Sequence, residues 1–131
     1  MKYLLDTNIC IYLINERPKK VLDHFKRHHI GDIGISSITA SELAYGVAKS
    51  GSIKNRVALE QFLLPLQIAD YDAAAAMAYG DVCASLEAQG KTIGPLDMLI
   101  AAHALSLCVV LVTNDEREFK RVEKLKVENW V

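Results

Sequence analysis

Short apolar runs that do not alternate with polar residues punctuate this chain, and longer stretches with helical spacing fill the intervals. Tyr3–Leu5, Ile33–Ile35, Leu66–Ile68 and Val109–Val112 read as strands, and Val127–Trp130 as a short edge strand. Runs such as Tyr-Leu-Leu and Val-Val-Leu-Val have no polar face, as expected of strands covered on both sides. Helical patterns occupy roughly Asn8–Ile14, Lys19–Lys26, Ser37–Lys49, Ile53–Leu64, Asp72–Gln89 and Pro95–Leu107, with a turn at Glu116–Arg121. Ala73–Ala78 is rich in the best helix former, and Gly90 suits the end of that helix. Strands separated by helices require crossover connections, hence a parallel sheet with helices on both faces. The expected fold is a three-layer α/β/α sandwich around a central parallel sheet of about five strands. No repeat, low-complexity tract or linker divides the 131 residues, so residues 1–131 are read as one domain.

Composition narrows the class. The chain is 51% hydrophobic but only 7% aromatic, so aliphatic and alanine packing dominates the core. No apolar run approaches the roughly 18 residues that cross a bilayer. A signal peptide is not expected either, because Asp6 interrupts the apolar start after Tyr3, Leu4 and Leu5. Cys10, Cys83 and Cys108 are odd in number and far apart, as expected of reduced thiols in a cytoplasmic protein. A net charge of −1 argues against a generally polyanion-binding surface. A nucleic-acid partner would need a local basic patch or a bound metal.

The anomalies are acidic. Asp97 is the only formally charged residue between Lys91 and Asp115, in a segment apolar enough to be buried nearly all round. An unpaired carboxylate there needs a cation, hydrogen-bond donors or a shifted pKa. Asp6 ends the first apolar run, Glu42 is the lone charge in Ile38–Ala48, and Asp115 follows the Val109–Val112 strand. Ligands of open parallel sheets bind outside the carboxyl ends of the strands, and Asp6 and Asp115 both fall there.

Each acid also has an ordinary reading. Asp6-Thr7-Asn8 offers three helix caps, Asn114 or Asp115 can cap the turn that follows, and Ser36 or Ser37 can cap the helix that carries Glu42. Asp97 falls in a first helical turn behind Pro95, where the helix dipole favours an anion by about 0.3–1 kcal/mol. Burying an uncompensated charge costs several times that. On a helical wheel Glu42 points away from the apolar arc of Ala40, Leu43, Ala44 and Val47, as a surface glutamate would. Its own neighbours are Ile38, Tyr45 and Gly46, and Gly46 permits close approach of another backbone.

Together the four carboxylates would make an oxygen-lined site for a hard divalent ion, and hence for phosphate chemistry. The histidines form no zinc set: His28 and His29 lie in a basic stretch, and His103 reads as a core residue. No Ser-His-Asp arrangement, phosphate-binding GK[ST] loop or dinucleotide fingerprint is present.

Four blocks in order resemble the PIN-domain ribonucleases, and more closely the VapC-type toxins of bacterial type II toxin–antitoxin systems. They are L-L-D-T-N at the start, I-S-S-I-T-A-S-E-L-A-Y-G around Glu42, G-P-L-D-M-L-I-A-A-H-A around Asp97, and L-V-T-N-D-E-R-E-F near the end. The resemblance implies an acidic centre of Asp6, Glu42, Asp97 and Asp115, with Thr7, Asn8 and Thr113 supporting it. Asp115 matches a position that varies among relatives, some of which have Asn there. Also implied are Mg²⁺, with Mn²⁺ as substitute, in one or two ions, and hydrolysis of RNA leaving a 5′-phosphate and a 3′-hydroxyl. Structured RNA such as transfer RNA is the expected substrate. A homodimer is expected, together with a small antitoxin that covers the site and alone contacts operator DNA. Arg17, Lys19, Lys20, Lys26 and Arg27, with His24, His28 and His29, form the most basic stretch and are candidates for gripping RNA phosphates. The same stretch reads equally as the solvated face of an amphipathic helix built on Val21, Leu22 and Phe25.

Two other classes compete. A phosphoacceptor signalling domain needs an aspartate after the middle strand and a lysine after a later one; here Ala69-Asp70-Tyr71 is followed by no lysine at Val112–Asn114. A catalytically silent PIN fold used only for binding is disfavoured by the intact acidic set. Phosphatases of the D-x-D type are disfavoured because Asp6-Thr7-Asn8 lacks the second acid.

Overall fold

The computed structural model describes residues 1–131. Its strands are β1 (Tyr3–Leu5), β2 (Ile33–Ser36), β3 (Gln67–Ala69), β4 (Val110–Val112) and β5 (Val127–Glu128), all parallel, in the order β3-β2-β1-β4-β5. The helices are α1 (Thr7–Ile14), α2 (Lys19–Lys26), α3 (Ser37–Ser50), α4 (Ile53–Leu63), α5 (Ala73–Ala88), α6 (Pro95–Leu107) and the single turn α7 (Glu116–Phe119). The chain runs outward from β1 through β2 to β3, then returns to the other side of β1 with β4. The strand order therefore reverses between β1 and β4, the place where open α/β sheets bind ligands.

The unalternating strands have the two-sided burial that their pattern predicts. Leu4 and Leu111 pack with Val82 and Leu86 of α5 and Ile100 and Ala104 of α6. Leu5, Ile35 and Val112 face the other way, into Ile9 and Leu13 of α1, Val21 of α2 and Leu43 of α3. Neighbouring residues on one strand thus serve opposite layers. No helix is long and apolar enough to cross a membrane.

Several boundaries and faces differ from expectation. The third strand begins at Gln67 rather than Leu66, and Ile68 is 42% exposed because β3 is an edge that one neighbour alone pairs. The last strand ends at Glu128, but Trp130 beyond it is fully buried. His24 and His28, one turn apart on α2 and its exit, stack on the Trp130 ring at centroid distances of 5.7 and 4.8 Å. Those two histidines are thus occupied with closing the fold. The 3₁₀ turn Ile30–Asp32 was not anticipated. Ala44 is exposed, and a Cβ on Gly46 would meet nothing within 4 Å, so this glycine serves no close backbone approach inside the chain. Gly34 does: a Cβ there would lie 2.8 Å from the Gln67 carbonyl of β3.

Trp130→Ala should destabilise the protein by about 3–5 kcal/mol, the usual range for emptying a large aromatic site. Urea unfolding checks this, and a loss below about 1 kcal/mol would mean that the carboxyl-terminal segment contributes little to the core.

Candidate active site at the carboxyl edge of the sheet

Asp6 leaves β1 as the N-cap of α1: its Oδ1 accepts the Ile9 N–H at 3.0 Å. Its backbone N–H extends the sheet by one bond, to the Val112 carbonyl of β4 at 2.9 Å. Thr113, fully buried at the end of β4, donates its hydroxyl to Asp6 Oδ2 in a short hydrogen bond. The Asp115 N–H in turn donates to Thr113 Oγ1 at 3.0 Å, which fixes the direction of that hydroxyl. Both oxygens of a 5%-exposed carboxylate therefore have a donor, which makes its burial tolerable.

Glu42 enters from the next strand. Ser36 at the end of β2 caps α3 by accepting the Ile38 N–H at 3.0 Å. Glu42 lies in that helix and accepts the Thr7 hydroxyl at 2.7 Å, with Thr39 Oγ1 3.3 Å from the same hydroxyl. It is half-buried and turned inward, so the surface reading suggested by its helical-wheel position is not what the fold adopts. The wheel misleads because the carboxyl end of β1 supplies a polar partner for that side of α3.

Asp97 is half-buried too, less enclosed than its sequence surroundings suggest. Within α6 burial begins only at Ile100, while Pro95 and Leu96 face outward. Gly94, the N-cap of α6, lies against this carboxylate: a Cβ there would sit 3.3 Å from Asp97 Oδ2. Asn8 is exposed in the first turn of α1. Asp115 caps α7, accepting the Glu118 N–H at 3.4 Å.

The charges act on one another. Burial raises the pKa of Asp6, opposed by its bonds from Thr113 and Ile9 and assisted by the charges of Asp115 and Glu42. Burial, then the charges of Glu118, Asp6, Glu42 and Asp115, push Asp97 up to about 6. All four anticipated acids are therefore brought within mutual electrostatic reach. As the side chains stand, no three of them converge closely enough to ligate one ion jointly. Neither of the two ion pairs, Lys2–Asp32 and Lys120–Glu116, touches them.

A fifth acid joins the cluster unannounced by the sequence reading. Glu118 has the largest electrostatic influence on Asp97, and its own pKa is raised by burial and by its contact with Asp115. The signal was present: Asp115-x-x-Glu118 has the spacing of a capping box, which places both acids on one short turn. His103, as expected, is a core residue: it is buried, with Nδ1 2.7 Å from Ser36 Oγ. Arg17, Lys19, Lys20, Lys26 and Arg27 are exposed on α2 and its flanks, in the layer opposite Phe119 of α7.

Carboxylates and hydroxyls gathered at a topological switch point suit a hard cation and a phosphate. The model of the PIN domain matches residues 3–125. A ribonuclease VapC2 of Haemophilus influenzae is 47% identical over 132 residues, covering 100% of this chain and 99% of the relative. A tRNA(fMet)-specific endonuclease VapC of Shigella flexneri is 44% identical over 131 residues, covering 99% and 98%. Among solved structures, VapBC2 from Rickettsia felis bound to a promoter DNA fragment has a TM-score of 0.89 at 41% identity, with 100% of both chains covered. The DNA-bound VapBC of Salmonella typhimurium gives 0.92 at 39% identity, covering 100% and 99%. The chain belongs to the PIN-domain family and, within it, to the VapC ribonucleases.

The raised pKa of Asp97 has a signed consequence. Folding favours its neutral form, so its contribution to stability is full below the unfolded value and is lost as pH rises from roughly 4 through about 6. With divalent ions chelated, Asp97→Asn should gain melting temperature relative to the parent on going from about pH 4 to about pH 7.5. Thermal melts at both pH values test this; a difference that does not change with pH would place Asp97 in an ordinary solvated setting.

Proposed function

We propose that the protein is a metal-dependent endoribonuclease, acting as the toxin of a type II toxin–antitoxin pair and neutralised by a cognate antitoxin. The observation that carries this is the gathering of Asp6, Glu42, Asp97 and Asp115 from four separate segments at the switch point, in a chain alike over its length to VapC ribonucleases. The donor set is all oxygen, which suits Mg²⁺ or Mn²⁺ rather than a softer metal. Burial, and then the repulsion of neighbouring acids, raises Asp97, and a cation would offset both.

Asp6 and Asp97 would hold the ion directly, with Glu42 and Asp115 ordering its water or holding a second ion. Glu118, whose charge acts on Asp97, would add to the anionic field around the ion. Bound there, the metal would lower the pKa of the attacking water and neutralise phosphate charge. The chain's own residues do the positioning. Thr113 fixes Asp6 against the end of β4, and Thr7 holds Glu42 inward. Asn8 stands at the rim in the same turn as Thr7. Transfer RNA is the proposed substrate, supported by the tRNA(fMet)-specific relative.

The antitoxin has a surface to occupy. A groove of about 290 Å³ between α1, α3 and α4 is lined by Ile11, Ile14, Leu43, Val47 and Leu59, with Glu42 at the site end. An apolar segment laid there would reach the acids. Contact with operator DNA would pass through that partner, in keeping with the net charge of −1 on this chain. Tyr45, Met77 and Leu96 leave apolar surface on α3, α5 and α6 for a homodimer. The proposed place of action is the cytoplasm, where transfer RNA is found.

Mg²⁺ or Mn²⁺ should raise the melting temperature, as a ligand of the native state must. Asp6→Asn should abolish both this shift and RNA cleavage with the fold intact, because asparagine caps a helix as well as aspartate. An undiminished metal response in that variant would count against the assignment. Cleavage that persists in EDTA would exclude metal dependence.

A further inference from the structure

Asp97 feels the charges of four other carboxylates near the sheet edge, yet RNA is a polyanion whose binding depends on cationic contacts. Beside Glu118 stands a positive charge, Arg121, which opposes the rise in its pKa. Its position follows from backbone geometry. The Arg121 N–H bonds the Glu118 carbonyl at 3.1 Å, in the turn that continues α7. Its Nη1 donates to the Thr92 carbonyl at 3.1 Å. Thr92 lies two residues before Gly94, which rests against Asp97 Oδ2. Arg121 thus joins the two segments that carry Glu118 and Asp97.

A guanidinium has five N–H donors, and one is used here on a neutral carbonyl. Neither ion pair of the structure involves Arg121, so no carboxylate neutralises it directly. The side chain is partly buried and anchored, which lowers the entropy lost when an anion binds. Planar donors of this kind match phosphate oxygens two at a time.

We propose that Arg121 is a phosphate-binding residue of this site, holding a backbone phosphate of the RNA next to the acidic cluster through its remaining N–H donors. The inference rests on the ribonuclease reading and names the contact that grips the substrate there. It differs from the stretch Arg17–Arg27, whose cations project from the opposite layer.

The test is titration of labelled single-stranded RNA against Asp97→Asn protein across a range of salt, with Arg121→Gln, Arg121→Lys or Lys19→Ala plus Lys20→Ala added. Loss of a charge-assisted phosphate contact should weaken binding about tenfold or more. In Arg121→Gln the salt slope should fall by roughly 0.7, the single-strand value for one phosphate. Arg121→Lys should keep the slope while losing part of the affinity, and the lysine pair should change the slope less than Arg121→Gln. In the cleaving protein, Arg121→Gln should raise KM more than it lowers kcat. An unchanged affinity and slope in Arg121→Gln would overturn the proposal. So would equal losses in the glutamine and lysine variants that track a lowered melting temperature, since that is the signature of a loop strap. If Arg121→Gln does not fold, Arg121→Lys decides: weaker binding at an unchanged slope supports the contact, and unchanged binding refutes it. Failure of the parent protein to cleave any RNA with Mg²⁺ would sink the ribonuclease reading instead, which is a separate result.

Discussion

The pairing of β1 with β4 is the constraint on which the site depends. It joins residues more than a hundred positions apart in sequence: the Asp6 N–H meets the Val112 carbonyl, and Thr113 then reaches the Asp6 carboxylate. Without that register the first and last acids would have no reason to share a crevice. The strand order reverses at the same place, so helices diverge on either side and leave an opening where the carboxylates gather. Core packing supports this pairing from both faces, with Leu4 and Leu111 held by one layer and Leu5 and Val112 by the other.

The polar residues at this edge perform two duties at once. Asp6 and Asp115 cap α1 and α7 with one carboxylate oxygen while remaining within electrostatic reach of the other acids. Capping and site membership, which the sequence presents as alternatives, are therefore compatible. A helix N-terminus offers partial positive charge and N–H donors, which lower the cost of placing an anion where desolvation raises it. That compensation is incomplete at Asp97, whose cap residue is glycine and whose nearest strong influences are other acids.

Much of this was legible in the chain. The layer architecture followed from unalternating strands, and the four acids stood out because each interrupts apolar sequence. Faces and neighbours were less visible. Glu42 looked like a surface residue because a helical wheel cannot know that Thr7 waits across the crevice. Asp97 looked deeply buried because a one-dimensional window does not reveal that Pro95 and Leu96 lie at an opening. Glu118 escaped notice among the charges of Asp115–Glu118, where only the fold of a single turn separates an acid facing Asp97 from a solvated one. His24 and His28 seemed part of a basic surface; the ring they enclose lies at the far end of the chain, beyond any local pattern.

Gly94 ties the start of α6 to the Asp97 carboxylate. A serine, threonine or aspartate at that helix start would ordinarily be chosen by a designer, for a gain over glycine of only about a few tenths of a kcal/mol. Any β-carbon there presses on the Asp97 carboxylate, and an oxygen-bearing one adds a further acceptor beside a group already crowded by anions. A firmer start to α6 would therefore be coupled to a shift of the Asp97 carboxylate by a few tenths of an ångström among the other acids.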